Sequence, residues 1–508
     1  MSGGARSGWV YLVGAGPGDP GLITQRGLEL LRSCDVVMYD RLVSPALLEN
    51  ASGAESVYVG KGEGHRIRSQ GEIDSLTIAA ARANKSVVRL KGGDPYVLGR
   101  GADEAQALAA AGVPFEVVPG VSSAVAVPSY AGFPLTYAGV SSSFAVLTAH
   151  ESAARPDRTG RWEQIARGAD TLVLLMGVKS LDETLERLMS AGRDPEEPAA
   201  AIEWGTTPRQ RTVVATVSSL AGVARTERIA PPAIVIVGEV VRLRPALSWF
   251  ESRPLFGRRV VVTRPRHQAS ALGHVLSDAG AHVVYLPVIA IEDPPSFEAL
   301  DTAVKKLAEG LYAWVVFPSV NAVEKLFARM RAASSDSRAF GRTKVAAVGP
   351  TTAAAVRERG IEPDLVPESF TGDSLVEDLG RGSGAVLIPR VAEAPRGLVA
   401  RLELAGWIAE EVEAYANVLA EPDPAALETI RAGDFDVVTF ASASAVRAFA
   451  TVVGSAQDTG LGSEDQGHQV VAIGPKTAEA AEELGFRVDV VADRHTAEGL
   501  VEALAGLG

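Results

Sequence analysis

The chain has a single cysteine among its 508 residues, Cys34, too few for an intramolecular disulfide or a thiolate metal site. A reducing compartment is therefore expected, with Cys34 packed as a small hydrophobe. Positive charge is also short: 49 Lys and Arg against 62 Asp and Glu leave a formal net charge of −13. Phosphate backbones call for a basic field, so nucleic acid is excluded as a partner. No uninterrupted apolar run is long enough to cross a bilayer, and residues 1–8 carry no apolar signal segment. A membrane partner is not expected, and the expected location is the cytoplasm. Core material, by contrast, is plentiful: 47% of residues are hydrophobic and 22% charged, in a chain too long for one core. Several domains are expected.

Val88-Arg89-Leu90-Lys91 runs into Gly92-Gly93-Asp94-Pro95, which reads as a strand ending in a ligand-facing loop. Without Cβ atoms, Gly92 and Gly93 let a flat or charged ligand reach the backbone N–H groups. Asp94 sets a carboxylate beside them, and Pro95 stiffens the exit. The same residues also make an ordinary strand-to-turn stop. A second such loop, Gly14-Ala15-Gly16-Pro17-Gly18-Asp19-Pro20-Gly21 after Tyr11-Leu12-Val13, favours one shared site. Strand-like runs at 9–13, 36–39, 56–59, 87–90 and 115–118 alternate with helical stretches, a parallel α/β pattern. The helix opening near Thr24 offers its N-terminus to a ligand carboxylate. Gly14-Ala15-Gly16 followed by Asp40 also mimics a dinucleotide fingerprint. Asp19 stands where the third glycine belongs, however, and Pro17 removes an N–H from the turn. A nicotinamide-dependent oxidoreductase is the runner-up.

The two loops are joined by further segments: Val37-Met38-Tyr39-Asp40-Arg41-Leu42-Val43, Val59-Gly60-Lys61, Leu98-Gly99-Arg100-Gly101, Val118-Pro119-Gly120-Val121-Ser122-Ser123-Ala124, Leu175-Met176-Gly177 and Trp204-Gly205-Thr206. Together they resemble the uroporphyrinogen-III C-methyltransferase family of tetrapyrrole methylases, over about the first half of the chain. The resemblance implies a domain at 1–250 with two α/β lobes, about 8–118 and 119–245, holding S-adenosylmethionine in the cleft between them. It also implies a homodimer. By position, the cofactor contacts would be Pro17, Gly92, Gly93, Asp94, Val97, Ser122, Ser123, Met176 and Gly205, although Val97 and Met176 also read as plain core residues. Methyl transfer from a sulfonium to a pyrrole carbon needs alignment and proton management, not a covalent nucleophile. The family pattern makes Asp40 the proton acceptor and Lys61 the proton donor. A polycarboxylate substrate requires local positive charge in an acidic protein. Arg41 and the loop with His65, Arg66 and Arg68 supply it, although such loops are commonly just solvated. Two departures from the family stand out: Gln70-Gly71-Glu72-Ile73, at a helix start, and Pro134-Leu135-Thr136-Tyr137-Ala138, which lacks the usual His-Arg pair.

Around 247–254 the first pattern ends in a short aromatic stretch, expected to pack against its neighbours and not to act as a flexible tether. Beyond it lies an internal repeat. Val262-Thr263-Arg264 recurs as Ile388-Pro389-Arg390 (390 − 264 = 126), Phe317-Pro318-Ser319 as Phe440-Ala441-Ser442 (440 − 317 = 123), and Gly349-Pro350 as Gly474-Pro475 (474 − 349 = 125). A repeat of that size means two similar α/β lobes. Arg264-Pro265, the Phe317–Ala322 segment, the two Gly-Pro turns and Tyr415 resemble uroporphyrinogen-III synthase. That resemblance implies a domain at 251–508 with parallel sheets. Its lobes would lie at about 256–290 plus 417–508 and at 291–416, with crossings near 289–292 and 413–416. It implies closure of hydroxymethylbilane to uroporphyrinogen III with loss of water, and no metal. Tyr415 would be the acid. Arg264, Ser319, Asn321, Thr351, Thr352, Ser442, Ser444 and Thr477 would meet substrate carboxylates near helix starts, where each hydroxyl also suits a simple cap. The whole chain would then make uroporphyrinogen III and methylate it twice to precorrin-2. The alternative is that one half binds tetrapyrrole or cofactor only to regulate.

Overall fold

The computed structural model describes residues 4–60, 69–148, 159–264, 266–369, 371–392, 397–461 and 467–507. Five strands open the chain: β1 (Val10–Gly14), β2 (Val36–Tyr39), β3 (Glu55–Tyr58), β4 (Val87–Lys91) and β5 (Phe115–Val118). They form an all-parallel sheet in the order β3-β2-β4-β1-β5. Because side chains alternate along a strand, Tyr11, Val13, Val88 and Leu90 enter one core with Leu30 and Leu31. Val10, Leu12 and Val87 enter another with Ile73 and Leu108. A parallel sheet covered on both faces reads in sequence as near-continuous apolar runs. The helix Gln70–Arg82 starts on a capping box in which Ser69 and Glu72 satisfy each other's backbone N–H. The unusual Gly71 therefore leaves the helix start intact.

The next sheet contains β6 (Phe144–Thr148), β7 (Thr171–Leu175), β8 (Pro198–Glu203), β9 (Arg211–Thr216) and β10 (Ala233–Val237), in the order β6-β7-β10-β8-β9. Only β6 and β7 pair in parallel. β10 runs antiparallel to β7 and β8, and β8 antiparallel to β9. The connection between β8 and β9 is too short for the crossover that parallel strands require. The aromatic stretch that follows does pack: Trp249 and Phe250 lie with ring centroids 5.1 and 4.8 Å from Tyr130. Trp249 Nε1 also donates to the Ser129 carbonyl at 3.1 Å.

The chain divides into two compact units, Met1–Arg259 with His274–Val283 and Ala505–Gly508, and Val260–Gly273 with Val284–Leu504. The later strands are β11 (Arg259–Val262), β12 (His282–Tyr285), β13 (Ile289–Glu292), β14 (Tyr312–Phe317), β15 (Lys344–Ala347), β16 (Ala385–Val391), β17 (Ile408–Leu419), β18 (Val437–Phe440), β19 (Gln469–Ala472) and β20 (Val490–Val491). They make two sheets, β12-β11-β18-β19-β20 and β13-β17-β16-β14-β15. The internal repeat is visible as spatial order. The strand before Arg264 neighbours the strand before Ser442, which neighbours the strand before Gly474. The strand carrying Arg390 likewise neighbours the strand before Ser319, which neighbours the strand before Gly349. Chain order differs between the two, so each lobe is a permutation of the other. Among the pairings described, that of β13 with β17 departs from the expected parallel sheets. β13 is antiparallel to the end of β17, from Ile289 opposite Leu419 to Glu292 opposite Ala416, because one segment leaves the first lobe while the other returns to it.

Candidate functional site

In the first sheet the C-terminal ends of three adjacent strands carry glycines that touch backbone to backbone. A Cβ on Gly14 would lie 2.4 Å from the Gly120 Cα and 2.7 Å from the Gly93 carbonyl oxygen. A Cβ on Gly120 would lie 2.3 Å from that same oxygen. Gly16 and Gly93 exchange backbone hydrogen bonds of 3.2 and 2.7 Å. The two loops singled out in the sequence thus meet, with Pro119-Gly120 as the third wall. The Asp94 carboxylate accepts from Gly120 N at 3.0 Å and Tyr96 N at 2.8 Å, so it fixes one loop against another. Ser122 caps the helix Ser123–Tyr130, accepting from Ala124 N at 3.3 Å.

The second lobe of this unit reaches the same place. Thr206 Oγ1 accepts from Asp19 N at 3.2 Å, and Tyr130 donates its hydroxyl to Asp19 at 2.7 Å. A Cβ on Gly205 would strike Val127 at 2.3 Å, and one on Gly18 would strike Thr207 at 2.6 Å. Pro17, Gly93, Asp94, Ser122, Ser123 and Gly205 therefore lie in loops bound to one another, and Gly92 directly precedes Gly93. Leu98, Met176, Trp204 and Thr206 all have positive φ, 48°, 59°, 47° and 68°. Non-glycine residues pay steric strain there, and such strain gathers at functional loops. Val97 is 42% and Met176 52% exposed, which removes the plain-core reading of both.

Asp40 follows β2, with Arg41 exposed beside it. Lys61, His65, Arg66 and Arg68 lie outside the described residues. Behind Asp40 is a group of charges that sequence reasoning missed. Glu104 Oε1 accepts from Arg89 Nε at 3.3 Å, Lys91 Nζ at 3.0 Å and Gln70 Nε2 at 3.2 Å. Arg89 Nη1 donates to the Met38 and Leu90 carbonyls at 3.4 and 3.0 Å, and Nη2 lies 3.5 Å from Asp40 Oδ2. Arg89, Lys91 and Glu104 are buried, whereas the Asp40 side chain is 30% exposed. Burial, and then Arg89, lower the Lys91 ammonium below its ordinary value, while Glu104 and Asp40 oppose them. The available signal was Arg and Lys two apart inside an otherwise apolar parallel strand.

In the second unit Ser319 caps the helix Val320–Ala332, accepting from Ala322 N at 3.2 Å, and its hydroxyl lies 3.0 Å from the buried Tyr415 hydroxyl. Asn321 is buried in the first turn. The repeat places Ser442 alike, capping Ala443–Val452, with its hydroxyl 3.0 Å from Ser444. Thr351 is exposed at the start of Pro350–Glu358, whereas Thr352 and its counterpart Thr477 are buried inside their helices. Arg264 lies two residues beyond β11, with its guanidinium held below the ordinary value by burial. Among the described residues no cluster of His, Cys, Asp or Glu fits a metal ion, and no helix is long and apolar enough to cross a membrane.

Similarity to known proteins divides along the same line. Residues 9–221 match the family described as Tetrapyrrole (Corrin/Porphyrin) Methylases, and residues 270–502 match Uroporphyrinogen-III synthase HemD. The chain is 38% identical over 511 residues to the porphyrin biosynthesis protein HemD of Ruminiclostridium josui, covering 99% of this chain and 98% of that one. It is 38% identical over 365 residues to a uroporphyrinogen-III C-methyltransferase of Bacillus subtilis (strain 168), covering 71% of this chain and 74% of that one. Among solved structures, the uroporphyrin-III C-methyl transferase from Thermus thermophilus complexed with S-adenyl homocysteine is 44% identical, covers 46% of this chain and 98% of its own, and has a TM-score of 0.40.

Proposed function

We infer function from one premise: this chain belongs to the tetrapyrrole methylases through its first half and to the uroporphyrinogen-III synthases through its second. It is a bifunctional enzyme of tetrapyrrole biosynthesis. The second half closes hydroxymethylbilane to uroporphyrinogen III with loss of water, and the first methylates that product twice to precorrin-2. The nicotinamide-dependent alternative falls with that membership.

The observation that carries the methylase reading is the backbone contact of Gly14, Gly93 and Gly120, a cradle that a Cβ on Gly14 or Gly120 would force apart. S-adenosylmethionine fits such a cradle, and when bound it supplies a methyl group on a sulfonium. Pro17, Gly92, Gly93, Asp94, Ser122, Ser123 and Gly205 would hold it, with Val97 and Met176 as apolar walls. Methylation of a fully substituted pyrrole carbon leaves positive charge that is relieved by loss of a proton elsewhere on the macrocycle; Asp40 accepts that proton, and Lys61 is the donor in the same assignment. Arg41, His65, Arg66 and Arg68 meet substrate carboxylates.

In the synthase half Tyr415 passes a proton to the departing hydroxyl, and the Ser319 hydroxyl 3.0 Å away holds the phenol in place. Arg264, Ser319, Asn321, Thr351, Ser442 and Ser444 bind acetate and propionate groups at helix starts. The buried Thr352 and Thr477 support those starts from inside. We further propose a homodimer formed through the methylase half, and a cytoplasmic location. Mass spectrometry of products made from hydroxymethylbilane tests the whole reading. Uroporphyrinogen III alone is expected without S-adenosylmethionine, and a species two methyl groups heavier with it. Only the type I isomer in the first case, or no added methyl in the second, would remove the corresponding activity.

A further inference from the structure

Arg89 and Lys91 point to the same face of β4, into the core that holds Val10, Leu12, Met38, Ile73 and Leu108. Apolar side chains would fill that face more favourably, because desolvating charges offsets most of what their pairing returns. The Glu104 Oε2 atom is buried without a hydrogen-bond partner among the described residues, so the group is not even fully satisfied. Fold stability does not explain it. Its geometry does point somewhere: three of the four charges are buried, and the fourth, Asp40, reaches the surface beside the Gly92-Gly93 loop.

The Arg89 guanidinium is held on three sides. Its Nη1 bridges carbonyls on β2 and β4, and its Nε is tied to Glu104, which Lys91 and Gln70 hold in turn. A planar, rigid fork held in this way leaves Nη2 aimed in one direction, at Asp40 Oδ2. The other oxygen, Oδ1, accepts from Leu42 N at 3.3 Å. We infer that Arg89 is a positioning residue for methylation, fixing the Asp40 carboxylate so that it faces the macrocycle where the proton is lost, with Glu104 and Lys91 fixing Arg89. This rests on Asp40 being the proton acceptor.

The test is steady-state methylation of uroporphyrinogen III by the full chain. Arg89→Met is expected to lower kcat about 10- to 100-fold with KM for S-adenosylmethionine within about twofold. Arg89→Lys is expected to recover part of that kcat. The double variant Asp40→Asn/Arg89→Met is expected to be no slower than Asp40→Asn alone, because Arg89 acts through Asp40. Losses that multiply in the double variant, or a raised KM at unchanged kcat, would overturn the inference. Full activity of Asp40→Asn alone would instead strike the acid–base reading beneath it. Should Arg89→Met fail to fold, the near-isosteric Glu104→Gln carries the same comparison. A drop in kcat that vanishes in the Asp40→Asn background supports positioning, and full activity of Glu104→Gln refutes it.

Discussion

Gly120→Ala is the sharpest perturbation of the methylase cradle. The added methyl would sit 2.3 Å from the Gly93 carbonyl oxygen, 2.6 Å from the Gly14 Cα and 2.8 Å from the Gly14 carbonyl carbon. All three obstacles are backbone, so no side chain can swing aside. Reaching ordinary contact at 3.4 Å requires the loops to part by about 1 Å. Overpacking of this kind costs about 1–3 kcal/mol, which for a unit of this size lowers Tm by ~2–4 °C per kcal/mol. Binding suffers by a similar amount, since a ligand aligned on three backbones loses its geometry when they move. A displacement near 1 Å is expected to weaken cofactor affinity about 10- to 100-fold. Calorimetric titration of the full chain with S-adenosylhomocysteine reads this directly. Gly71→Ala is the control: nothing lies within 4 Å of its Cβ, its φ is ordinary, and it sits within a helix. It is expected to bind normally and gain ~0.5–1 kcal/mol of stability. Unchanged affinity in Gly120→Ala would mean that the convergent glycines shape the fold and not the cofactor site.

Asp40→Asn is expected to lower methylation kcat by ~100-fold or more while cofactor affinity and hydroxymethylbilane closure stay as they were; a fully active variant would leave Asp40 only its contacts with Leu42 and Arg89. Tyr415→Phe keeps the buried ring and removes the hydroxyl that meets Ser319, so the rate of type III isomer formation should fall ~10- to 100-fold without loss of methylation. Isomer analysis showing type III at the original rate would retire Tyr415 as the acid. His282 governs acid stability: burial, with help from Arg209 and Arg259, lowers its imidazole from 6.5 to about 4. Its contribution is whole above pH 6.5 and is lost as pH falls through about 4, because the unfolded chain takes up the proton first. Thermal melts from pH 7 to 4 should therefore fall less steeply in His282→Gln, and an unchanged slope would exclude this origin.

Glycine loops were legible because glycine and proline act through the backbone, and backbone freedom is a property of residue type. The repeat was legible for a related reason: Arg264 and Arg390, or Ser319 and Ser442, close the same strand types, and the sheets place them in matching order. The contact of Gly14 with Gly120 was not readable, since it depends on β1 and β5 lying side by side. Pairing direction in the second lobe was hidden too, because an apolar run such as Pro198–Glu203 is the same in either direction. Arg89, Lys91 and Glu104 escaped notice because charged residues ordinarily face water. Only the all-parallel sheet, covered on both sides, forces them inward. Val97 and Met176 show the converse, apolar residues that composition would bury and that the loops hold open.

The permuted strand order of the second unit has a consequence for synthesis. β11 pairs with β18, Val260 opposite Val437, so 437 − 260 = 177 residues separate partners within one sheet. At ribosomal speeds of roughly 5–20 residues per second, the first of these strands waits on the order of ten to thirty-five seconds for its neighbour. Meanwhile β14, β15, β16 and most of β17 emerge consecutively and can close their own sheet around Phe317, Leu326 and Leu387. The inserted lobe is thus the earlier to mature. The interrupted one carries Val260, Val261 and Val262 as an open, apolar edge until β18 has left the ribosome.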